Sequence, residues 1–259
     1  MRYDRVYSSK VFTFTPVNPY LPENTVKGGT GYGIYGELPS EIEVMQPDYS
    51  IYPNVDYAIG YLTRGCIRKC PWCVVPVKEG AMRPYRTWRE IKRSDSKKIV
   101  FMDNNVLASD YGIGQMADMI GHDIRIDFNQ GLDARLITPE IAGIIGRLKW
   151  ITFIRIACDT DAMLSVVLEK AELLKQKGVK PRQIFVYLLT QDIESAERRA
   201  IALRTAGLQP FAQPYRDFTT NAEPDRELKR FARWVNNKAV FKTIETFAEY
   251  TTKRSNWKT

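Results

Sequence analysis

Histidine and cysteine are scarce in this 259-residue sequence, which has one histidine, His122, and four cysteines. A single imidazole excludes most zinc hydrolases and histidine-based catalytic sites, because these need two or more imidazoles. Three of the four cysteines lie within eight residues of one another. In an intracellular protein, clustered cysteines indicate a metal site or a catalytic site rather than disulfide bonds.

Long apolar runs are also lacking. No stretch approaches the ~18 apolar residues that a membrane-spanning helix needs, and Met1–Arg5 lacks the apolar segment of a signal peptide. The content of 44% hydrophobic and 26% charged residues is ordinary for a globular protein with a packed core. We therefore expect a cytoplasmic protein with no membrane partner, built as one large domain or as a domain with an appendage.

Positive charge is concentrated in two parts of the chain. The formal net charge is +8, and residues 64–98 hold eleven Lys and Arg against three acidic residues, while residues 225–259 hold nine against four. A basic field around the clustered cysteines favours an anionic substrate, such as nucleic acid, a nucleotide or an acidic peptide. The alternative is a solvated basic surface. The side chains expected to contact the substrate are Arg83, Tyr85, Arg86, Trp88, Arg89, Lys92 and Arg93.

Residues 1–55 differ from the rest of the chain. They contain six of the 14 prolines and a glycine-rich run over residues 27–33, and little of the segment is periodic. Both features predict irregular structure with one short strand near Val11–Phe14. This N-terminal segment is followed by a second region, 56–218, and by an expected C-terminal helical extension, 219–259.

From residue 56, short apolar β-prone runs alternate with amphipathic stretches. The predicted strands are Tyr57–Leu62, Ile99–Met102, Ile124–Phe128, Ile151–Ala157, Ile184–Leu188 and Gln209–Gln213. The predicted helices cover residues 86–93, 111–121, 138–148, 160–177 and 192–206, with a start at Thr138 and a stop at Gly178. This alternation indicates an α/β fold with a parallel sheet, either an open, partial (βα)6 TIM-like barrel or a doubly wound sheet. In both, the reactive site lies at the carboxyl ends of the strands.

Cys66, Cys70 and Cys73 have the spacing C-x3-C-x2-C directly after the first of these strands. Three thiolates on one loop can hold three corners of a [4Fe–4S] cube, and the lack of a nearby fourth ligand leaves one iron open, as a catalytic site needs. A structural zinc site wants four ligands, and His122 and Cys158 lie about 50 and about 85 residues away. Basic residues of the loop are expected to lower the thiol pKa values: Arg64, Arg68 and Lys69.

With Trp72 immediately before the last cysteine, this loop resembles the signature of the radical S-adenosylmethionine (SAM) superfamily. The wider run from Thr63 to Pro76 is similar to methylthiotransferases and to cobalamin-dependent radical SAM proteins, and the resemblance covers roughly residues 25–215. It implies a partial barrel, with SAM bound through its amino and carboxylate groups to the open iron. It also implies an external flavodoxin- or ferredoxin-type electron donor, reductive cleavage of SAM, and hydrogen abstraction by a 5′-deoxyadenosyl radical.

Two features of these relatives are missing. The glycine-rich run 27–33 resembles only the tail of a cobalamin-binding domain, and no histidine precedes it as a cobalt ligand. We therefore expect a truncated remnant that binds no cobalamin. The sequence also has no second cysteine cluster, which argues against methylthiolation.

Polar residues at the ends of the later strands are the candidates for SAM binding, because members of the superfamily hold SAM there. With Trp72 they are Asp103, Asn104, Asn105, Asn129, Gln130, Asp133, Arg155 and Asp159. A plain Asx turn is the alternative for residues 103–105, and an ion pair with Arg135 is the alternative for Asp133. Strand alternation points Arg155 to the inner face of the sheet, where a buried guanidinium needs an anion. The SAM carboxylate, Asp103 and Asp133 are all candidates for that anion.

Cys158 is the candidate catalytic residue, as a hydrogen-atom donor or radical relay, although most free cysteines are inert and buried. Together these features favour a radical SAM enzyme that abstracts hydrogen from an unknown substrate, either anionic or nucleic acid. A non-catalytic Fe–S electron-transfer or regulatory protein is one alternative. A zinc-stabilised nucleic-acid-binding protein is another, and metal analysis distinguishes iron and sulfide from zinc.

Overall fold

The computed structural model describes residues 3–217 and 222–250. The N-terminal segment contains strands β1 (Tyr7–Ser9) and β2 (Val26–Gly28), which pair in parallel, and one short helix, α1 (Ser40–Glu43). The predicted strand near Val11–Phe14 is wrong. There the amide of Thr15 donates to the carbonyl of Phe12 and closes a turn, which lets the rings of Phe12 and Phe14 stack 5.1 Å apart.

Six parallel strands and their connecting helices make up the second region. In chain order the elements are β3 (Ala58–Gly60), β4 (Thr63–Arg64), α2 (Val75–Lys78), β5 (Arg83–Pro84), α3 (Trp88–Ile91), β6 (Lys98–Phe101), α4 (Asp110–Asp118), β7 (Arg125–Phe128), α5 (Pro139–Arg147), β8 (Ile154–Ala157), α6 (Asp161–Gln176), β9 (Ile184–Thr190), α7 (Ile193–Thr205) and β10 (Gln209–Pro214). All six predicted strands and all five predicted helices are present within a few residues of the expected bounds. The antiparallel pair β4–β5 and the helix α2 were not predicted.

Two three-stranded parallel sheets hold these strands, in the orders β3-β6-β7 and β8-β9-β10. Between the sheets, Leu132 forms an isolated parallel bridge with Ile156. The strand order follows the chain order, without the reversal that marks a doubly wound sheet. Within the described residues the sheets do not close into a barrel. The predicted α/β class with parallel sheets is thus confirmed.

Strand alternation decides which side chains face the helices. In β8, Ile154 and Ile156 are buried in the core while Arg155 and Ala157 lie on the other face, as expected for period two. The predicted helix ends are also confirmed. The side chain of Thr138 accepts from the amide of Ile141, and Gly178 adopts the positive φ of 88° that ends α6.

The expected C-terminal helices are α8 (Arg226–Asn236) and α9 (Lys238–Thr243). They pack through an aromatic cluster in which the ring of Trp234 lies 4.8 Å from that of Phe241 and 5.6 Å from that of Phe231. The remainder of the predicted extension, residues 219–221 and 251–259, lies outside the described residues. No helix in the described part of the chain is long and apolar enough to span a membrane.

Candidate functional site

The cysteine loop connects β4 to α2. It begins at Gly65, whose φ is +83° and whose added Cβ would lie 2.2 Å from the carbonyl oxygen of Ala81, so only glycine fits there without strain. The amide of Cys66 donates to the carbonyl of Gly80 at 3.4 Å, and the amide of Cys73 donates to that of Cys70 at 3.0 Å. The β4–β5 pair therefore fixes the start of the loop.

The thiols differ in exposure: Cys66 and Cys70 are half-buried, whereas Cys73 is exposed. Burial raises the pKa of the Cys70 thiol, against an opposing effect of Arg135. The prediction that the loop's own basic residues lower the thiol pKa values is therefore wrong for Cys70. The guanidinium groups of Arg64 and Arg68 are instead paired with carboxylates.

Asp133 is the centre of a charged cluster beside Cys66. Its carboxylate accepts from Arg68 Nε at 2.8 Å and from Arg135 Nε at 2.7 Å. Burial opposes ionisation of Asp133, but these two guanidinium groups hold its pKa below the usual range. The amide nitrogen of Asn105 lies 3.6 Å from Cys66 Sγ and 3.4 Å from Asp133 Oδ2. The structure therefore brings two predicted site residues, Asn105 and Asp133, to the first cysteine.

Asp103 has a different environment from its neighbours. Its carboxylate is buried and accepts from the amide of Leu62 at 3.0 Å, and from the amide and the hydroxyl of Thr63 at 2.6 and 2.7 Å. Burial outweighs these hydrogen bonds and raises the pKa of Asp103 to about 6. Asp103 therefore anchors the chain between β3 and β4, just before the cysteine loop.

Glu79 is a site residue that the sequence analysis missed. Its Oε1 pairs with Arg64 at 3.0 Å, and its Oε2 accepts from the amide of Gly65 at 3.1 Å and from the side chain of Asn104 at 2.8 Å. One carboxylate thus connects the strand before the cysteines to the residues after β6. The only signal in the sequence is its position as one of three acids in a basic stretch.

Arg155 faces the inner side of the sheet as predicted, but its anion was not among the candidates named from the sequence. Its guanidinium forms a two-point pair with the buried Asp127, at 2.7 and 2.8 Å. It also donates to the hydroxyl of Tyr187 at 3.2 Å, and that hydroxyl donates to the carbonyl of Asn129 at 3.0 Å. The Asp127–Arg155 pair joins β7 to β8, across the gap between the two sheets.

The remaining candidates are spread over the carboxyl edge and the core. Asp159 accepts from the amide of Leu189 at 3.3 Å, and burial raises its pKa. Trp72 is half-buried and Gln130 is exposed. Cys158 is fully buried on the face of β8 that carries Ile154 and Ile156, and burial raises the pKa of its thiol to about 11. This is the environment of a small hydrophobic residue.

The basic stretch 64–98 is largely neutralised by partners distant in the chain. Within the described residues, seven of its eleven Lys and Arg form salt bridges, five of them with acids outside the stretch. The pairs are Arg64–Glu79, Arg68–Asp133, Arg83–Glu37, Arg89–Asp118, Arg93–Asp95, Lys97–Asp123 and Lys98–Asp56. The prediction that Trp88 offers a stacking surface is wrong, because its ring is buried and its Nε1 donates to Asp118 at 2.8 Å.

Metal binding at the cysteine loop is supported by the kind of side chains present there, and not by their present positions. Among residues 3–217 and 222–250, no three His, Cys, Asp or Glu side chains stand as a ready-made metal site, so the thiols would have to draw together around a cluster. Three thiols with an amide N–H directed at Cys66 Sγ are nevertheless the groups that an Fe–S cluster uses. A comparison with known families and curated proteins finds no matching family model and no matching curated protein.

Proposed function

We propose that the protein is a radical SAM enzyme in which Cys66, Cys70 and Cys73 hold a [4Fe–4S] cluster. One observation carries the proposal: the three cysteines lie on a single loop after the first parallel strand, and residues that follow later strands surround that loop. Asn105 and Asp133 contact Cys66 or its neighbours, and Asp159 interacts electrostatically with Cys70 and Cys73. Active sites of parallel α/β folds are built in this way, from the carboxyl ends of several strands.

The residues around the loop have separable roles in this proposal. When bound, the cluster would supply the electron that cleaves SAM. The N–H of Asn105 would donate to the Cys66 thiolate, and Arg68 and Arg135, held by Asp133, would offset the negative charge of the ligated thiolates. Hydrogen bonds and charges of this kind tune an Fe–S centre.

SAM binding is proposed for the side chains that follow β6, β7 and β8: Asn104, Asn129, Gln130, Asp133 and Asp159, with Trp72 in the loop. Asp103 and Arg155 are assigned supporting roles, because their partners are backbone and side-chain groups that position the site. Asp103 holds the amides before the loop, and Arg155 supports the carbonyl of Asn129 through Tyr187. The hydrogen abstraction itself has no assigned protein partner, since Cys158 is buried in the core.

The sequential strand order supports the finer proposal of an open, partial (βα)6 barrel. We further propose an external flavodoxin- or ferredoxin-type donor, which rests on the resemblance of the cysteine loop. A cytoplasmic location is proposed from the lack of long apolar runs in the sequence. The substrate is proposed to be anionic. Pairing of most cations in residues 64–98 reduces the support for a polyanion such as nucleic acid.

Anaerobic reconstitution of the full chain tests the proposal. We expect about four irons per chain, a broad absorption that bleaches on reduction, and release of 5′-deoxyadenosine from SAM. Cys70→Ala should lose the iron, because two thiolates hold a cube poorly, whereas Cys158→Ala should keep it. Full iron loading of Cys70→Ala would refute the assignment. Bound iron without 5′-deoxyadenosine would favour an electron carrier, and zinc without iron would favour the zinc-stabilised alternative.

A further inference from the structure

A cavity of about 680 Å³ lies between the N-terminal segment and β3. One wall is formed by residues 38–55 and the other by residues 59–61 with Arg64, Tyr85 and Arg86. Among the described residues, strand β3 pairs with β6 alone, and on its other side the amide of Ile59 donates to the hydroxyl of Tyr49 at 2.8 Å. The N-terminal segment therefore forms one side of an open cavity beside the edge of the first sheet. Its volume is in the range of small-molecule sites.

The lining of this cavity is mainly aromatic and aliphatic. Four tyrosines contribute to it, and aliphatic side chains of the N-terminal segment and β3 complete it. These residues are Tyr49, Tyr52, Tyr61, Tyr85, Leu38 and Ile59. Flat rings on several sides favour a flat apolar ligand, since aromatic groups pack well against one another.

Two guanidinium groups stand in the cavity wall. Arg64 lies 4.1 Å from the ring centroid of Tyr61, and its Nε is buried without a hydrogen-bond acceptor among the described residues. Arg86 lies over the ring of Tyr85 and donates to the carbonyl of Glu43, and within the described residues it forms no salt bridge. A buried donor without an acceptor is uncommon in native proteins.

The cavity wall has two acidic groups, Glu43 and Asp48, and both are engaged. The carboxylate of Asp48 accepts from the amide of Ser50 at 2.9 Å. The carboxylate of Glu43 accepts from the hydroxyl of Tyr85, and burial, together with Glu43, raises the pKa of Tyr85 to about 12. The cation sites over Tyr61 and Tyr85 are taken by Arg64. These two rings therefore already carry a cation. An acceptor-rich anion, in contrast, would pair with Arg86, and it would accept from Arg64 Nε once that guanidinium turns toward the cavity.

We infer that this cavity binds a planar aromatic compound that carries one anionic group. The ring lies among the tyrosines, and the anion contacts Arg86 and Arg64. Arg64 is two residues from Cys66, so the ligand lies beside the cysteine loop. Its identification as the enzyme's substrate rests on the proposed function, whereas the binding itself does not.

Isothermal titration of the full chain with 2-naphthoate, and with 2-naphthalenemethanol as its uncharged counterpart, tests the inference. We expect 2-naphthoate to bind roughly ten- to a hundredfold more tightly than the alcohol, as the loss of a charge-assisted hydrogen bond predicts. Arg86→Gln should remove this advantage and leave binding of the alcohol unchanged, which also reports an intact fold. Arg89→Gln is the matched control, because Arg89 pairs with Asp118 outside the cavity.

Tyr52→Ala, at an exposed position of the cavity wall, should weaken binding of both probes. Equal affinity for the two probes, an unchanged Arg86→Gln, or no binding of 2-naphthoate at millimolar concentration would each overturn the inference. Cys70→Ala separates this inference from the proposed function. If Cys70→Ala still binds 2-naphthoate, the inference about the cavity is supported, whatever the iron content of the variant. Full iron loading of Cys70→Ala would contradict only the proposed cluster.

Discussion

The two sheets of this protein are built from different kinds of contact. The first, β3-β6-β7, has ladders of three and four residue pairs, and charged residues such as Asp103 and Asp133 are concentrated at its carboxyl edge. The second, β8-β9-β10, has a ladder of six pairs between β9 and β10. On its inner face, the ring of Phe185 lies 5.1 Å from that of Phe153 and 5.3 Å from that of Phe211.

This difference suggests that the first sheet carries the groups of the proposed site and that the second sheet packs beside it. Charged side chains near the first sheet surround the cysteine loop, where a metal cluster and its ligands would be bound. The inner face of the second sheet is instead lined mainly by packed rings, with Arg155 and Tyr187 as its polar groups. The ion pair between Asp127 of β7 and Arg155 of β8 connects the two sheets.

The largest expected loss of stability comes from removing the ion pair that joins the two sheets. Asp127→Ala would leave the guanidinium of Arg155 buried among aromatic rings without its carboxylate, which costs about 3 kcal/mol of unfolding free energy. Urea denaturation followed by circular dichroism measures this loss. Asp123→Ala removes an exposed aspartate next to the same strand and is the control. If the two variants lose equal stability, the pair does not join the sheets.

The first sheet is most sensitive at the turn that starts the cysteine loop. Gly65→Ala combines a positive φ with a clash against the carbonyl of Ala81, whereas Gly80→Ala has a positive φ of 70° and no atom near the added methyl. We expect about 2 kcal/mol of destabilisation and lower iron loading for Gly65→Ala, and about 1 kcal/mol with normal loading for Gly80→Ala. Denaturation and iron analysis of the two variants test this ranking, and equal iron loading would contradict it.

Asp103 predicts a pH dependence specific to the first sheet. Its folded carboxyl keeps its proton to about pH 6, whereas an ordinary aspartate releases it near 3.8. The folded state therefore binds more protons in this window, and Asp103 lowers the free energy of unfolding as the pH rises through it. Asp103→Asn removes this titration. The stability of the wild type relative to the variant should thus fall between pH 4 and pH 6, and a flat difference would contradict the buried state of Asp103.

The smallest effect is expected at the surface. Lys97 and Lys149 lower the pKa of Asp123, which is exposed. A lowered folded pKa contributes stability that is present above the unfolded value of 3.8 and lost as the pH falls through the folded value. Asp123→Asn should therefore match the wild type near pH 2, and near pH 7 the two should differ only slightly, because exposed pairs are weak. A difference as large as that of Asp127→Ala would contradict the ranking.

Periodicity predicted the elements of both sheets, because each long strand or helix has one buried face. It predicted the direction of Arg155 for the same reason. The partner Asp127 was missed, since a pair across two strands depends on their register, which a single sequence does not specify. The role of Glu79 was also missed, and so was the pairing of residues 64–98 with distant acids. The ion pair of Arg68 with Asp133, for example, spans 65 residues.

The hydrogen bonds of Glu79 give the two proposed sites a thermodynamic linkage. Arg64 lines the cavity, pairs with Glu79, and is followed by Gly65, whose amide donates to that same carboxylate. A ligand that displaces Arg64 thus changes the contact that holds the start of the cysteine loop. If such a ligand changes the affinity of the loop for iron by some factor, bound iron changes the affinity of the cavity for that ligand by the same factor.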